Sequence, residues 1–310
     1  MNTDPADTPP PDGVLDAFGG YGDPVRLSGG QGRTWRRGDV VLKPSGFAPE
    51  SNWRADRLDN LHRQPPGRMP RPVRIAPPVK PRGAAEGEWL VQGWEGWEAV
   101  EGAPDPRRLD EVLRAGQDFD AFFAGLRRPG FLDQRDDAWT YGERIAFGEL
   151  PVPGGTEWTA PLRELMAWWR PVDELRSHVV HGDLLGNVLF ADGLPPAVID
   201  WAVYFRPPSW AQKIAVVDAV TWGYAPLDLL DRPTGWHGAQ DLLRALVYRM
   251  ATNIRAGTEH PDDYRDVCGA VLHRLELADE PPGSFREALR GGAVAGFWIG
   301  DRELRESRGG

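Results

Sequence analysis

The chain has 310 residues, a hydrophobic fraction of 41% with 14 tryptophans, and a net charge of −10, enough apolar material for two lobes rather than one core. Mean hydropathy is −0.47 and no run of 18 uncharged apolar residues occurs, which excludes a membrane span of ordinary length. The acidic balance disfavours a nucleic-acid partner. Basic and acidic side chains balance over residues 1–100, so the acidic excess lies in residues 101–310.

The chain opens on a Pro- and Asp-rich stretch without an apolar leader segment, and residues 1–13 are expected to be a disordered tail. The single cysteine, Cys268, excludes an internal disulfide framework and lies in a helical pattern, as a small buried hydrophobe would. The expected compartment is the cytoplasm.

Val14–Phe18 predicts a short helix. Short β-like runs follow at Val25–Leu27, Thr34–Arg36, Val40–Leu42, Val73–Ile75, Trp89–Val91 and Trp97–Val100, divided by Gly, Pro and charged turns as in an antiparallel sheet. Between the first two lies a glycine-rich loop with Gly29, Gly30 and Gly32; it has no Gly-Lys-Ser/Thr ending and so is no Walker A. Only three of the 36 basic residues are lysines. Lys43 ends an apolar strand, and its compact ammonium suits a site between phosphate oxygens where a planar guanidinium does not. Lys80 and Lys213 read as surface charges.

Pro49–Leu61 predicts a helix with Trp53, Leu58 and Leu61 inward. After Val100 the run Glu101–Pro104 breaks the chain, and the pattern turns helical: Asp105–Pro106 opens a helix that continues through Leu109, Val112, Phe119, Phe123 and Leu126. Further helices are expected at Ala160–Leu175, Ser209–Gly223, Gly238–Ala256, Asp262–Leu277 and Ser284–Glu306. No repeat of fixed period is present.

The most informative stretch is Ser177 to Trp201. It contains His181-Gly182-Asp183, then Asn187 at the start of one apolar run and Asp200 at the end of another. Runs of this length pair as a hairpin, which sets Asn187 beside Asp200. An amide and a carboxylate delivered together suit Mg²⁺, which takes few protein oxygens and leaves its other positions to phosphates and water. Asp183, in the preceding loop, is placed to orient a hydroxyl. The arrangement reads as phosphoryl transfer.

His-Gly-Asp, then Asn, then Ile199-Asp200-Trp201 resembles the aminoglycoside phosphotransferase group of small-molecule kinases, relatives of the protein kinases. The longer run through Arg206-Pro207-Pro208-Ser209-Trp210 is similar to an actinobacterial-type branch of unknown acceptor. Two departures stand out: Asp183 and Asn187 are one residue closer than in the usual family loop, and Ala202 follows Asp200-Trp201 where many relatives carry an acid.

The resemblance implies an α+β, protein-kinase-like fold. A small antiparallel sheet lobe over residues 14–102 would bind nucleotide, and a larger mainly helical lobe over residues 103–310 would carry catalytic and substrate groups. It implies transfer of a γ-phosphate from ATP (or GTP), with Mg²⁺, to a hydroxyl of an aminoglycoside-like, amino-sugar or sugar acceptor. Asp183 would be the catalytic acid–base group, Asn187 and Asp200 the metal ligands, and Lys43 with Gly29, Gly30 and Gly32 the phosphate contacts. The main chain of Ala99, Val100 and Glu101 would face the purine. Such a lobe needs an acid to pair with Lys43; Glu50 is the first candidate and Asp56 the second.

For the acceptor, the aromatic run with Trp201 and Trp210 offers walls, although packing between lobes is the alternative. Asp218 interrupts an apolar helix and would either bind the acceptor or pair internally with an arginine. No Cys/His cluster has zinc spacing. No feature marks a protein partner, and the partner expected is a small molecule. The competing class is a nucleotide-binding pseudokinase with a regulatory role. No Asp-Phe-Gly, Ala-Pro-Glu or activation segment lies between Asp200 and the helix expected from Ser209, which disfavours a protein kinase.

Overall fold

A computed structural model describes residues 8–28, 32–64, 72–171, 177–232 and 235–278. The expected positions Gly29 and Gly30 and the expected helix at Ser284–Glu306 lie outside these residues, as does most of the expected tail.

The fold is α+β, with a small antiparallel sheet lobe and a larger helical lobe in the two-lobe arrangement of the protein kinases. Helix α1 (Asp12–Phe18) begins within the stretch expected to be tail, and it buries Val14, Leu15 and Phe18 against the first sheet. That sheet has five strands, β1 (Val25–Arg26), β2 (Trp35–Arg37), β3 (Val40–Pro44), β5 (Leu90–Val91) and β6 (Trp94–Glu98), in the order β1-β2-β3-β6-β5. The β5–β6 turn is Gln92-Gly93, with φ of 51° and 79°; two residues with positive φ make the tight turn whose twist matches a hairpin. This turn sets Leu90 opposite Glu95, and on the other edge of β6 the pairing with β3 places Lys43 opposite Glu95.

Helix α2 (Ala48–His62) carries Pro49 in its first turn, where a missing N–H costs nothing. It buries Leu58 and Leu61 into the main core, not into the small cluster under the first sheet. Strand β4 (Arg74–Ile75) departs from expectation. It does not join the first sheet but runs parallel to β10 (Ala197–Val198), within a second sheet ordered β4-β10-β9-β7, where β9 is Val188–Phe190 and β7 is Ala103–Pro104. The chain returns to this sheet at β7, where Ala103 lies opposite Phe190.

The helical lobe contains α3 (Leu109–Phe123), α4 (Ala138–Ala146), α5 (Thr159–Met166), α6 (Pro208–Thr221), α7 (Gly235–Ala256) and α8 (Arg265–Leu277). Helix α4 is not among the helices expected from the sequence, and the Asp137 side chain caps it by accepting from the Thr140 N–H at 2.6 Å. Helix α7 is its central pillar, with every residue from Ala239 to Asn253 buried. Strand β8 (His178–His181) pairs with β11 (Val203–Arg206) as a separate ribbon, with His181 opposite Val203.

Candidate active site

The site lies where the β8–β11 ribbon, the β9–β10 hairpin and the first sheet converge. The loop leaving β8 is His181-Gly182-Asp183-Leu184-Leu185-Gly186-Asn187. Its backbone is built for closeness: a Cβ on Gly182 would lie 2.4 Å from the Tyr204 ring, and one on Gly116 of α3 would lie 2.3 Å from Leu184. Leu184 and Leu185 are buried and pin the loop from below.

His181 is fully buried. Its Nδ1 accepts from the Asp183 N–H at 3.1 Å, so Nε2 carries the proton and donates to the Ile199 carbonyl at 3.0 Å. Burial lowers its pKa and keeps the ring neutral. The residue ties the Asp183 loop to the Asp200 strand. Its own backbone N–H donates to Oδ1 of Asp120 at 3.0 Å, a buried carboxyl on α3 whose pKa desolvation raises to about 8.

Asp183 receives two side-chain donors. Asn187 Nδ2 donates to its Oδ2 at 3.1 Å and to its carbonyl at 2.7 Å. Arg249 Nη2, from α7, donates to Oδ1 at 2.9 Å. The short loop is therefore closed by the Asn187 amide itself. That geometry turns the Asn187 Oδ1 away from Asp183 and leaves it without a hydrogen bond among the described residues.

The hairpin places Asn187 next to the Asp200 strand, with the Ile199 N–H donating to the Asn187 carbonyl at 3.0 Å and Val188 opposite Val198. Asp200 has φ of 51°, a strained value for a non-glycine residue that the surrounding contacts must maintain. Its carboxylate makes a short contact with Lys43 Nζ across the two lobes. Crowding by the lobes raises its pKa, but Lys43 and Arg54 outweigh this and hold it at about 2. With 39% of its side chain open to solvent, it remains accessible to a cation. The two hard oxygens, Asn187 Oδ1 and the Asp200 carboxylate, fit Mg²⁺ in chemistry and number. Among the described residues no cluster of three His, Cys, Asp or Glu side chains forms a larger metal site.

Lys43 does not pair with Glu50 or Asp56. Its second partner is Glu95 Oε1, at 3.2 Å across the β3–β6 ladder. Glu95 is held by Arg54 of α2, whose Nη2 reaches both carboxylate oxygens at 2.7 and 2.8 Å and whose Nη1 donates to the Trp201 carbonyl at 2.8 Å. Helix α2 thus presents a cation to this cluster and the strand presents the acid, the reverse of the expectation. Glu50 is engaged elsewhere: Oε1 accepts from the Val203 N–H at 3.2 Å and Oε2 from Arg135 Nη1 at 3.1 Å. It fastens the start of α2 to the segment after Asp200. Asp56 contacts Arg57 and Asn60 on the outer surface.

The acceptor-side expectations change as well. Trp201 and Trp210 are buried in the packing of the fold, and Trp201 borders a small cavity together with Trp97, Phe119 and Asp200. Trp201 stacks on Phe123 with centroids 4.3 Å apart and packs on Trp53 of α2, while Trp210 packs on Phe147, Tyr204 and Tyr248. Asp218 points inward and is paired with Arg249 Nε at 2.7 Å, the internal alternative. Arg249, Glu95 and Arg54 were invisible to local reading.

At the junction of the lobes, the Ala99 N–H donates to the Asp39 carbonyl at 2.7 Å and the Glu101 carbonyl accepts from Arg74 at 2.8 Å. The Ala99 carbonyl and the Glu101 N–H stay open among the described residues. Gly32 has φ of 68°, with Arg26 Nε donating to its carbonyl at 2.5 Å.

No protein-family profile matches the sequence, and no curated protein matches it. Solved structures do. The chain is similar to an aminoglycoside phosphotransferase from Alicyclobacillus acidocaldarius, at 14% identity, with 92% of this chain and 97% of that one covered and a TM-score of 0.52. Matches at lower TM-scores include a spectinomycin phosphotransferase solved with ADP and spectinomycin (12% identity, 86% and 93% covered, 0.48) and a choline kinase from Streptococcus pneumoniae (10%, 83% and 94%, 0.48). At such identities the likeness is one of fold. The chain shares the α+β, two-lobe fold of that Alicyclobacillus protein.

Proposed function

We propose that the protein is a phosphotransferase that moves the γ-phosphate of ATP (or GTP) to a hydroxyl of a small molecule. The observation that carries this reading is the Lys43–Asp200 contact across the cleft, with Asp183 and Asn187 on the adjoining loop. A cation, two metal-capable oxygens and a separate carboxylate converge there, as phosphoryl transfer requires. None of these four has been replaced by an inert residue, which weighs against a pseudokinase.

In this reading the purine lies against the Ala99 carbonyl and the Glu101 N–H, an acceptor and a donor complementary to the amino group and ring nitrogen of adenine. Lys43, steadied by Glu95, holds phosphate oxygens. Asn187 and Asp200 would hold Mg²⁺, which supplies charge neutralisation to the phosphates when bound. Asp183 accepts the hydrogen bond of the acceptor hydroxyl and aims its oxygen at the γ-phosphorus. The new O–P bond forms as the bridging P–O bond breaks; the nucleoside diphosphate leaves with the electron pair, and the hydroxyl proton passes to Asp183. Its role is chiefly orientation, because the transition state is loose.

The test is nucleotide turnover. Magnesium-dependent consumption of ATP or GTP that rises on adding a hydroxylated acceptor, and is lost in Asp183→Asn, is the expected result; acceptor-independent, metal-independent behaviour in both proteins rejects the reading.

A further inference from the structure

The Asp183 side chain is 43% open to solvent, on a loop, yet it is not free to turn. Asn187 Nδ2 donates to Oδ2 at 3.1 Å, and Arg249 Nη2 donates to Oδ1 at 2.9 Å. The terminal torsion of an aspartate is broad unless its oxygens are held. With a donor on each oxygen the plane of the carboxylate is fixed, and each oxygen still keeps a lone pair for one more hydrogen bond.

The two clamps differ in kind. Asn187 lies four residues along the same loop and is the candidate metal ligand through Oδ1, so its hold travels with that loop. Arg249 comes from α7, the buried pillar of the helical lobe, and is 8% exposed. Asp218 of α6, 2% exposed, fixes it in turn, accepting from Nε at 2.7 Å and making a short contact with Nη2. The Tyr248 and Trp222 rings lie 5.1 and 6.0 Å from its Cζ. Nη2 carries two hydrogens and gives one to each acid, and the rigid plane of the guanidinium sets the direction from one acid to the other. A solvent-open carboxylate on a loop is thereby held in register with two buried helices.

Packing alone does not account for this arrangement. Two charges taken out of water lose about as much in desolvation as they regain in attraction, and well-fitted apolar side chains would join α6 to α7 equally well. What the Asp218–Arg249 pair adds, and apolar side chains would not, is the donor to Asp183. Orientation is also where a phosphoryl-transfer site is most sensitive, because its transition state is loose and depends on alignment.

We propose that Arg249 is a positioning residue: it fixes the Asp183 carboxylate so that the acceptor hydroxyl meets one defined lone pair, and Asp218 serves by holding Arg249. This rests on the phosphotransferase reading and adds to it a residue that acts through Asp183.

The test separates positioning from packing. Arg249→Met alone leaves Asp218 buried without its cation and is expected to lose stability. The decisive protein is therefore Arg249→Met/Asp218→Leu, in which both charges are gone and apolar side chains fill the space. Arg249→Lys is the second variant; it keeps a cation for Asp218 but not the planar fork that reaches both acids. Full-length proteins are compared in urea melts, in MgATP titrations, and in phosphate transfer from ATP to kanamycin, choline, glucose or myo-inositol, with water alone as the reference acceptor. In both variants the expected result is a cooperative melt, ATP affinity and acceptor KM within about twofold of wild type, and a kcat lower by about thirtyfold or more, the scale on which small misplacements cost rate. Wild-type kcat in either folded variant reduces Arg249 to a packing role and overturns the proposal, as does a loss confined to KM. Wild-type protein that turns over no ATP with any probe or with water overturns the phosphotransferase reading, and the positioning role with it.

Discussion

Lys43 and Glu95 face one another as cross-strand partners on β3 and β6, with Nζ 3.2 Å from Oε1. The acid that steadies Lys43 comes from the neighbouring strand, and helix α2 reinforces it from behind with Arg54. A lysine steadied from its own sheet keeps its partner whatever α2 does. In this chain α2 is coupled to the cleft through Arg54 and Glu50, to the Trp201 carbonyl and the Val203 N–H.

Glu95→Gln removes the charge that Arg54 and Lys43 share. The buried Arg54 guanidinium is then uncompensated, so a stability loss of about 3 kcal/mol or more is expected, together with weaker nucleotide binding. Glu50→Gln is expected to leave nucleotide affinity within about twofold of wild type while lowering stability by roughly 1–3 kcal/mol, the cost of disturbing a hydrogen-bonded charge. Urea melts and nucleotide titrations on both variants check this. Equal loss of nucleotide affinity in the two would return Glu50 to the lysine.

Lys43→Arg keeps the charge but replaces a point-like ammonium with a planar fork. It is expected to lower kcat/KM by at least tenfold, read from steady-state turnover. Full activity in this variant would make Lys43 a mere surface charge.

The Asp120 carboxyl predicts a pH effect on stability. Its folded-state pKa of about 8 lies above the ordinary carboxylate value, because it is buried. Between about pH 4 and 8 the native state binds a proton that the unfolded state has lost, so this group makes stability fall as pH rises, and its effect levels off above pH 8. Asp120→Asn retains an oxygen for the His181 N–H and cannot ionise. Its stability relative to wild type should therefore increase from pH 5 to pH 8.5 in urea melts. A difference that does not change with pH would mean that Asp120 ionises as freely in the native state as in the unfolded chain.

Asp218→Asn tests the buried Asp218–Arg249 pair next to Asp183. Arg249 loses its main counter-charge, and a loss of about 3–5 kcal/mol is expected. The effect on turnover should fall on kcat, through Asp183, without a salt-dependent change in acceptor KM. A selective rise in acceptor KM that salt suppresses would restore Asp218 as a direct acceptor ligand.

The parts of this molecule legible in the sequence are those that depend on neighbours along the chain. The His181-to-Asp200 arrangement was readable because strand-length runs and a hairpin fix relative positions over a short span. The two-lobe division followed from the change of hydrophobic period after Val100. Contacts made across the fold left no such mark. Arg249 meets Asp183 across 66 residues, and Arg54 reaches Glu95 across 41; nothing in either segment distinguishes these arginines from the others in an arginine-rich chain. Strand β4 misled for a similar reason: two residues carry no signal of which sheet they join. Aromatic type alone could not tell Trp201 and Trp210, which are buried, from Trp222, which is not.

The central claim is that Asp183 directs a hydroxyl onto the γ-phosphate of a nucleotide held by Lys43, Asn187 and Asp200. Its most direct test is transfer of label from γ-labelled ATP or GTP, with Mg²⁺, to a panel of hydroxylated small molecules, comparing wild type with Asp183→Asn. The account predicts a labelled acceptor with the wild type and a rate about two to four orders of magnitude lower in the variant, with nucleotide affinity preserved. Equal transfer by both proteins, or nucleotide binding by both with no acceptor labelled across the panel, would contradict it.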